Sequence, residues 1–285
     1  MRTNILKLMM ISISLFLVSC NKDDDDKDRE KNYTLSEVQA IARITGNQSS
    51  NIVVVNMQGG PLYELNDTAQ MIDFADAKNA LWVDVQQIQT LNPDWFNKDI
   101  SFAEAKTKAG TNAENVDKVV SYYKSKGKTV CLVGVSYGAF VAQDYIARYG
   151  TSKISKALIV AGRLEMENEF WEKFSEGYDG EYVYGADGKV TCTFIENKTA
   201  KDRNLGRLAA ALGCKRFTAL WENVKGLDKI MYYYGTKDEK VGNFTAEEIK
   251  FLVSKKVQLF SVPEGNHDDT SGAGVSKLKE YFQIP

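Results

Sequence analysis

Thr129-Val130-Cys131-Leu132-Val133-Gly134-Val135-Ser136-Tyr137-Gly138-Ala139 encodes a strand, a corner and the opening of a helix. Thr129 to Val133 form the kind of continuous apolar run expected of a strand buried on both faces. A helical stretch follows from Ala139 to Tyr149, with Gly150 placed to end it as the residue after the last helical turn. A strand that turns directly into a helix strains the residue at the corner and lifts its side chain clear of the sheet. The neighbours must then be small, and Gly134, Gly138 and Ala139 meet that need. Ser136 is the residue displayed. The Tyr137 N–H, at the helix start, points to where a negative charge developing beside Ser136 would sit.

Outward from this corner, short apolar runs recur: Ile52 to Val55, Leu81 to Val85, Ala157 to Ile159 and Val160, Ile230 to Tyr234, and Val257 to Phe260. Helical patterns lie between them. Thr111 with Glu114 forms a capping-box signal ahead of Val116, Val119, Val120 and Tyr123, and Thr245 with Glu248 repeats it before Ile249 and Leu252. Val275, Leu278 and Phe282 mark one face of a last helix. Strands alternating with helices predict an α/β, doubly wound, mostly parallel sheet flanked by helices. No long internal repeat is visible, which argues against a solenoid or propeller. The alternation breaks over 163–226, a stretch rich in aromatics (Phe170, Trp171, Phe174, Tyr178, Tyr182, Tyr184) with a hairpin turn at Asp187-Gly188. It is expected to be an inserted lid containing a β-hairpin, its aromatics forming the lid's own core.

Gly134-Val135-Ser136-Tyr137-Gly138 resembles the G-x-S-x-G nucleophile elbow of the α/β-hydrolase superfamily. A serine hydroxyl needs a general base, and the chain holds a single histidine, His267, placed beyond the last apolar strand as in that family. Asp238, on the loop after the Ile230–Tyr234 run, is the expected acid, with Glu239 its adjacent rival; Asp268 and Asp269 stand too near His267 in sequence. The order Ser136, Asp238, His267 is the order of the resembled family. Asn56-Met57-Gln58-Gly59-Gly60-Pro61 is similar to the His-Gly-Gly-Pro stretch of proline-iminopeptidase-like hydrolases, with Gln58 in place of histidine. The resemblance implies an oxyanion hole from Gly59, Gly60 and Tyr137, and neither a metal nor an organic cofactor.

Arg2 and Lys7 precede an apolar run from Leu8 to Val18, the pattern of a secretory signal peptide over 1–19. Leu17-Val18-Ser19-Cys20 resembles a bacterial lipobox, which implies lipid on Cys20. Asn21 to Asp28, with four consecutive aspartates, resembles the acidic export signal of Bacteroidota surface lipoproteins, a reading favoured over a generic acidic linker or an engineered tag by its position directly after the lipobox. Such a charge run is a solvated tether, here 20–32, ahead of a hydrolase domain over 33–285. The resemblance implies a protein anchored by lipid to the outer membrane and exposed at the cell surface. Each buried CH₂ of an acyl chain contributes about 0.8 kcal/mol to such an anchor.

A net charge of −2 with acids and bases interleaved leaves no basic face for nucleic acid. Four cysteines without a CxxC pair argue against a zinc site and a disulfide framework, while Cys192 and Cys214 could be bridged or free. Asp67-Thr68-Ala69 looks like the O-glycosylation site of Bacteroidota secreted proteins. The expected activity is a serine hydrolase acting on a small-molecule carboxylic ester through an acyl-enzyme. Two alternatives stay open. One is an exopeptidase gripping an amino terminus with lid acids such as Glu165, Glu167, Glu169, Glu172 and Glu176; the other is a non-catalytic surface binding protein on the same fold. Oligomeric state is not specified by the sequence.

Overall fold

The computed structural model describes residues 32–285. The signal peptide, Cys20 and the acidic run 23–28 lie outside the described residues. Nine strands follow in chain order: β1 Ala42–Gly46, β2 Ile52–Met57, β3 Leu81–Val85, β4 Thr129–Val135, β5 Lys156–Val160, β6 Tyr178–Tyr184, β7 Val190–Glu196, β8 Ile230–Gly235 and β9 Gln258–Val262. Seven of them form one sheet in the order β1-β3-β2-β4-β5-β8-β9, and β6 and β7 pair separately. All neighbours in the large sheet are parallel except β1, which runs antiparallel to β3.

The central strands carry branched apolar residues on both faces because helices cover both. Val53, Val55 and Met57 of β2 join the core under the helices Phe102–Ser125 and Tyr137–Tyr149. Val54, between them, joins the opposite core under the helices Ala69–Phe74, His267–Val275 and Leu278–Phe282. After β2 the chain crosses outward to β3, and after β4 it proceeds the other way to β5. Their connections diverge at the carboxyl ends of β2 and β4, the crevice where open α/β sheets bind ligands.

Three local expectations are revised. The helix predicted from Thr111 begins nearly three turns earlier, at Ser101, whose side chain and Glu104 make the observed capping box. Thr111 lies inside that helix, so its capping pattern is incidental. β1 gave no apolar signal because it is an edge strand, and its register comes from β3. The last predicted helix is divided at Ser276 and Lys277, although Val275, Leu278 and Phe282 are all buried as its pattern required.

The stretch 163–226 holds the helices Asn168–Glu176 and Ala200–Gly213 and the β6–β7 hairpin. Its aromatics do form a core: Phe170 stacks on Tyr182 at 4.3 Å and on Phe174 at 4.8 Å. The hairpin is tied to the loop after β8, since Tyr182 N–H donates to Glu239 O and Tyr184 Oη donates to Asp238 O. At the start of the stretch, buried Arg163 donates to Glu167 at 2.6 Å and lies 3.5 Å from the buried Glu248 carboxylate.

Candidate active site

Ser136 caps the helix Tyr137–Tyr149 with φ 57° and ψ −122°, a conformation that L-residues rarely adopt. Strain of this kind is of order 1–3 kcal/mol and persists only where the surroundings enforce it. They do so here by contact. A Cβ on Gly138 would stand 1.9 Å from Met57 O, and one on Gly134 would stand 2.3 Å from Gly138 O. The helix start is pressed against the end of β2, and only glycine permits it. Ser136 N–H donates to Val160 O of β5 at 3.0 Å, fixing the corner over the sheet.

The loop after β2 approaches the same serine. A Cβ on Gly59 would lie 3.5 Å from Ser136 Cβ, so the backbone of Gly59 flanks Ser136. Gly60 has φ +119°, and a Cβ there would meet Leu62 N at 2.6 Å. Two buried carboxamides hold this loop. Gln58 Nε2 donates to Glu64 O, while its Oε1 accepts from Asn66 N. Gln87 Nε2 donates to Gln58 O at 2.9 Å and Gly59 O at 3.2 Å, and its Oε1 accepts from Leu62 N. Gln58 is thus the clasp of the loop. Tyr137 contributes a first-turn N–H, which has no acceptor within its own helix, and its buried phenol oxygen lies 3.3 Å from Asn112 Nδ2.

On the far side, His267 opens the helix His267–Val275, with Asn266 and Asp269 forming its capping box. The ring Nδ1 lies 2.9 Å from both carboxylate oxygens of fully buried Asp238. Asp238 Oδ1 also accepts from Lys240 N at 2.9 Å and Val241 N at 3.0 Å, so the carboxylate is fixed by its own turn. Glu239, the rival acid, takes a different place: its Oε2 accepts from the backbone N–H of His267 at 3.0 Å. It clamps the histidine's backbone and leaves the ring to Asp238.

The geometry joins His267 with Asp238, and Ser136 with Gly59. Among the described residues, no hydrogen bond links Ser136 Oγ to the ring, whose Nδ1 bonds are to Asp238. The two halves meet at β5, inside the sheet. Gly274, on the histidine's helix, packs on Val160 of β5, the residue whose carbonyl holds Ser136 N–H. Gly59, Val135 and Ser271 also line one common cavity.

No family model matches the sequence, and no curated protein matches it. Solved structures do resemble the fold. The chain is similar to MGS-M2, an α/β hydrolase enzyme from a Medee basin deep-sea metagenome library, at TM-score 0.53 and 12% identity, over 86% of this chain and 94% of that one. The fold is that of the α/β-hydrolases. A hydrolase from Oleispira antarctica aligns at TM-score 0.52 and 11% identity, over 90% of this chain and 99% of that one. MenH from S. aureus aligns at TM-score 0.51 and 12% identity, over 85% and 98%.

On this α/β-hydrolase scaffold, several smaller expectations are decided. Cys192 and Cys214 are free, as is buried Cys131. Thr68 is not available as a glycan acceptor: it is buried and its hydroxyl donates to Asp84 Oδ2 at 2.8 Å. Sequence reasoning missed Gln87 and the clamp made by Glu239. Neither carries a sequence signal, because each acts on a backbone group that only the folded chain brings near.

Proposed function

We propose that this protein is a serine hydrolase that cleaves carboxylic esters with Ser136, His267 and Asp238. The observation that carries the reading is the ring of the chain's lone histidine, bonded through Nδ1 to a buried carboxylate on the loop after β8. Nδ1–H bound to Asp238 leaves Nε2 unprotonated and able to act as base. Ser136 Oγ attacks the ester carbonyl and its proton passes to Nε2. The carbonyl oxygen becomes an oxyanion met by the Tyr137 N–H and the Gly59–Gly60 backbone. The imidazolium then protonates the departing alcohol, leaving an acyl-Ser136 ester. Water, deprotonated by Nε2, attacks that ester, and collapse returns the carboxylic acid and the free serine. Asp238 stabilises the imidazolium throughout and stays ionised.

The ester reading is preferred to the exopeptidase one because several of the acids in 163–226 already have partners. Glu165 Oε1 accepts from Thr218, Glu167 pairs with Arg163 and Glu176 pairs with Lys173. On the sequence alone we further propose cleavage before Cys20, lipid on that residue and an outer-membrane location. Loss of membrane partitioning in Cys20→Ala would be the outcome expected.

A fluorophosphonate probe tests the mechanism. Wild-type protein should label on Ser136, and Ser136→Ala and His267→Ala should not. An unlabelled, folded wild type would refute the proposal and favour a non-catalytic binding protein.

A further inference from the structure

A cavity of about 650 Å³ opens at the carboxyl ends of β2 and β4, between the helices Ala69–Phe74 and His267–Val275. That volume suits a ligand of metabolite size. Its apolar wall is made by Met57, Met71, Phe74, Val135 and Val275. Two of its positions border the reacting centre. Val135 immediately precedes Ser136, and Gly59 flanks it. Ser271 lines the cavity one helical turn beyond His267, and Val275 lies a further turn along the same face. No residue of 163–226 contributes to its lining.

We propose that this cavity receives the acyl chain of the ester, an apolar chain of medium length, so that acyl selection is built into the core without the lid. The inference rests on Ser136 being the nucleophile. The acyl group stays bonded to Ser136 through both half-reactions, whereas the alcohol departs after the first. A chain leading from a carbonyl held between Ser136 and Gly59 enters a space bounded by Val135 and Gly59 themselves. Its methylenes are covered by methionine, valine and phenylalanine side chains, which adapt to a flexible chain. Two polar groups of the cavity lining are bonded within the protein. Asn56 Nδ2 and Thr68 Oγ1 both donate to Asp84, which Arg43 also holds. Those two lining groups are thus engaged within the protein, and the five apolar side chains form the wall a chain would meet. Phe74, 62% exposed at the rim, would lose exposed apolar surface when the chain is bound.

Gly272 offers a clean test. It lines the cavity, and a Cβ there meets nothing within 4 Å. Gly272→Trp adds bulk at the cavity lining, and Gly272→Ala controls for the helix. Hydrolysis of p-nitrophenyl acetate and p-nitrophenyl octanoate would be compared across the three proteins. Gly272→Trp should lower the ratio of octanoate to acetate kcat/KM roughly tenfold or more, and Gly272→Ala should lower that ratio far less. Binding of sodium octanoate to Ser136→Ala, by calorimetry, should vanish when Gly272→Trp is added. That readout also covers a variant whose turnover is low for other reasons. An unchanged acyl profile with unchanged octanoate binding would overturn the proposal, as would a loss that followed the size of the alcohol. If the folded wild type neither labels nor hydrolyses any ester, the nucleophile assignment itself falls. Active wild type with an indifferent Gly272→Trp removes only the acyl subsite.

Discussion

Replacing Asp238 by asparagine should nearly abolish turnover, and the geometry gives the reason. Oδ1 accepts two backbone N–H groups, from Lys240 and Val241, at 2.9 and 3.0 Å. An asparagine must therefore put its carbonyl oxygen at that position, because an NH₂ there would face two donors. The NH₂ then takes the place of Oδ2, 2.9 Å from His267 Nδ1. Oδ1 lies equally near Nδ1, at 2.9 Å, but its two lone pairs are already engaged by the Lys240 and Val241 N–H groups. The NH₂ is then the group that faces Nδ1, which accepts from it and carries the ring proton on Nε2. Nε2 can no longer take the proton of Ser136. The established consequence of this tautomer swap in a serine triad is a fall in kcat on the order of 10⁴. At 1.36 kcal/mol per tenfold, that is about 5 kcal/mol of barrier. Single-turnover acylation by p-nitrophenyl acetate, with circular dichroism to verify folding, measures it. Glu239→Gln is the paired control: a glutamine carbonyl can still accept from His267 N–H, so activity should stay within about tenfold of wild type, given that this bond positions and does not titrate. If Asp238→Asn remained active while Glu239→Gln collapsed, the assignment of the acid would be wrong.

Other perturbations test the remaining parts. Gly138→Ala puts a methyl against Met57 O, an overpacking of about 1–3 kcal/mol or more, and should lower Tm by about 2–4 °C per kcal/mol; an unchanged melt would contradict the close approach. Gln87→Leu strips the clasp from Gln58 O, Gly59 O and Leu62 N, and should reduce kcat on the order of tenfold or more with little change in KM, whereas a pure KM effect would argue that the loop only binds substrate. Burial pushes the Cys131 thiol up to about 12 and also raises Cys192 and Cys214. The reactive thiolate is the deprotonated form, so a raised pKa keeps it scarce at pH 7. Native alkylation should be slow there and quicken with rising pH. A Cys192–Cys214 cross-linked peptide in a non-reducing map would refute the free-thiol structure.

The parallel strands were legible because burial on both faces demands an uninterrupted apolar run, and that demand is local. Thr129 to Val133, Leu81 to Val85 and Ile52 to Val55 carried it without help from any partner. The serine corner was legible for a similar reason: the close approach of Gly138 to β2 is written as a glycine at a fixed spacing. His267 could be singled out because no other imidazole exists in the chain. β1 escaped notice because an edge strand takes its order from its neighbour, and the start of the helix Phe102–Ser125 was misplaced because two capping signals compete within it.

The sequence by itself determined the strand order in the chain, the corner at Ser136 and the short set of groups able to do acid–base chemistry. Tertiary structure alone decided between Asp238 and Glu239, which are adjacent in the chain yet meet the ring and the backbone of His267 respectively. It also decided that Gln58 and Gln87 hold a loop, that Cys192 and Cys214 are free, and that Gly59, Val135 and Ser271 line one cavity. Each of these depends on distances between residues far apart in sequence, and a one-dimensional pattern of polarity carries no information about such distances.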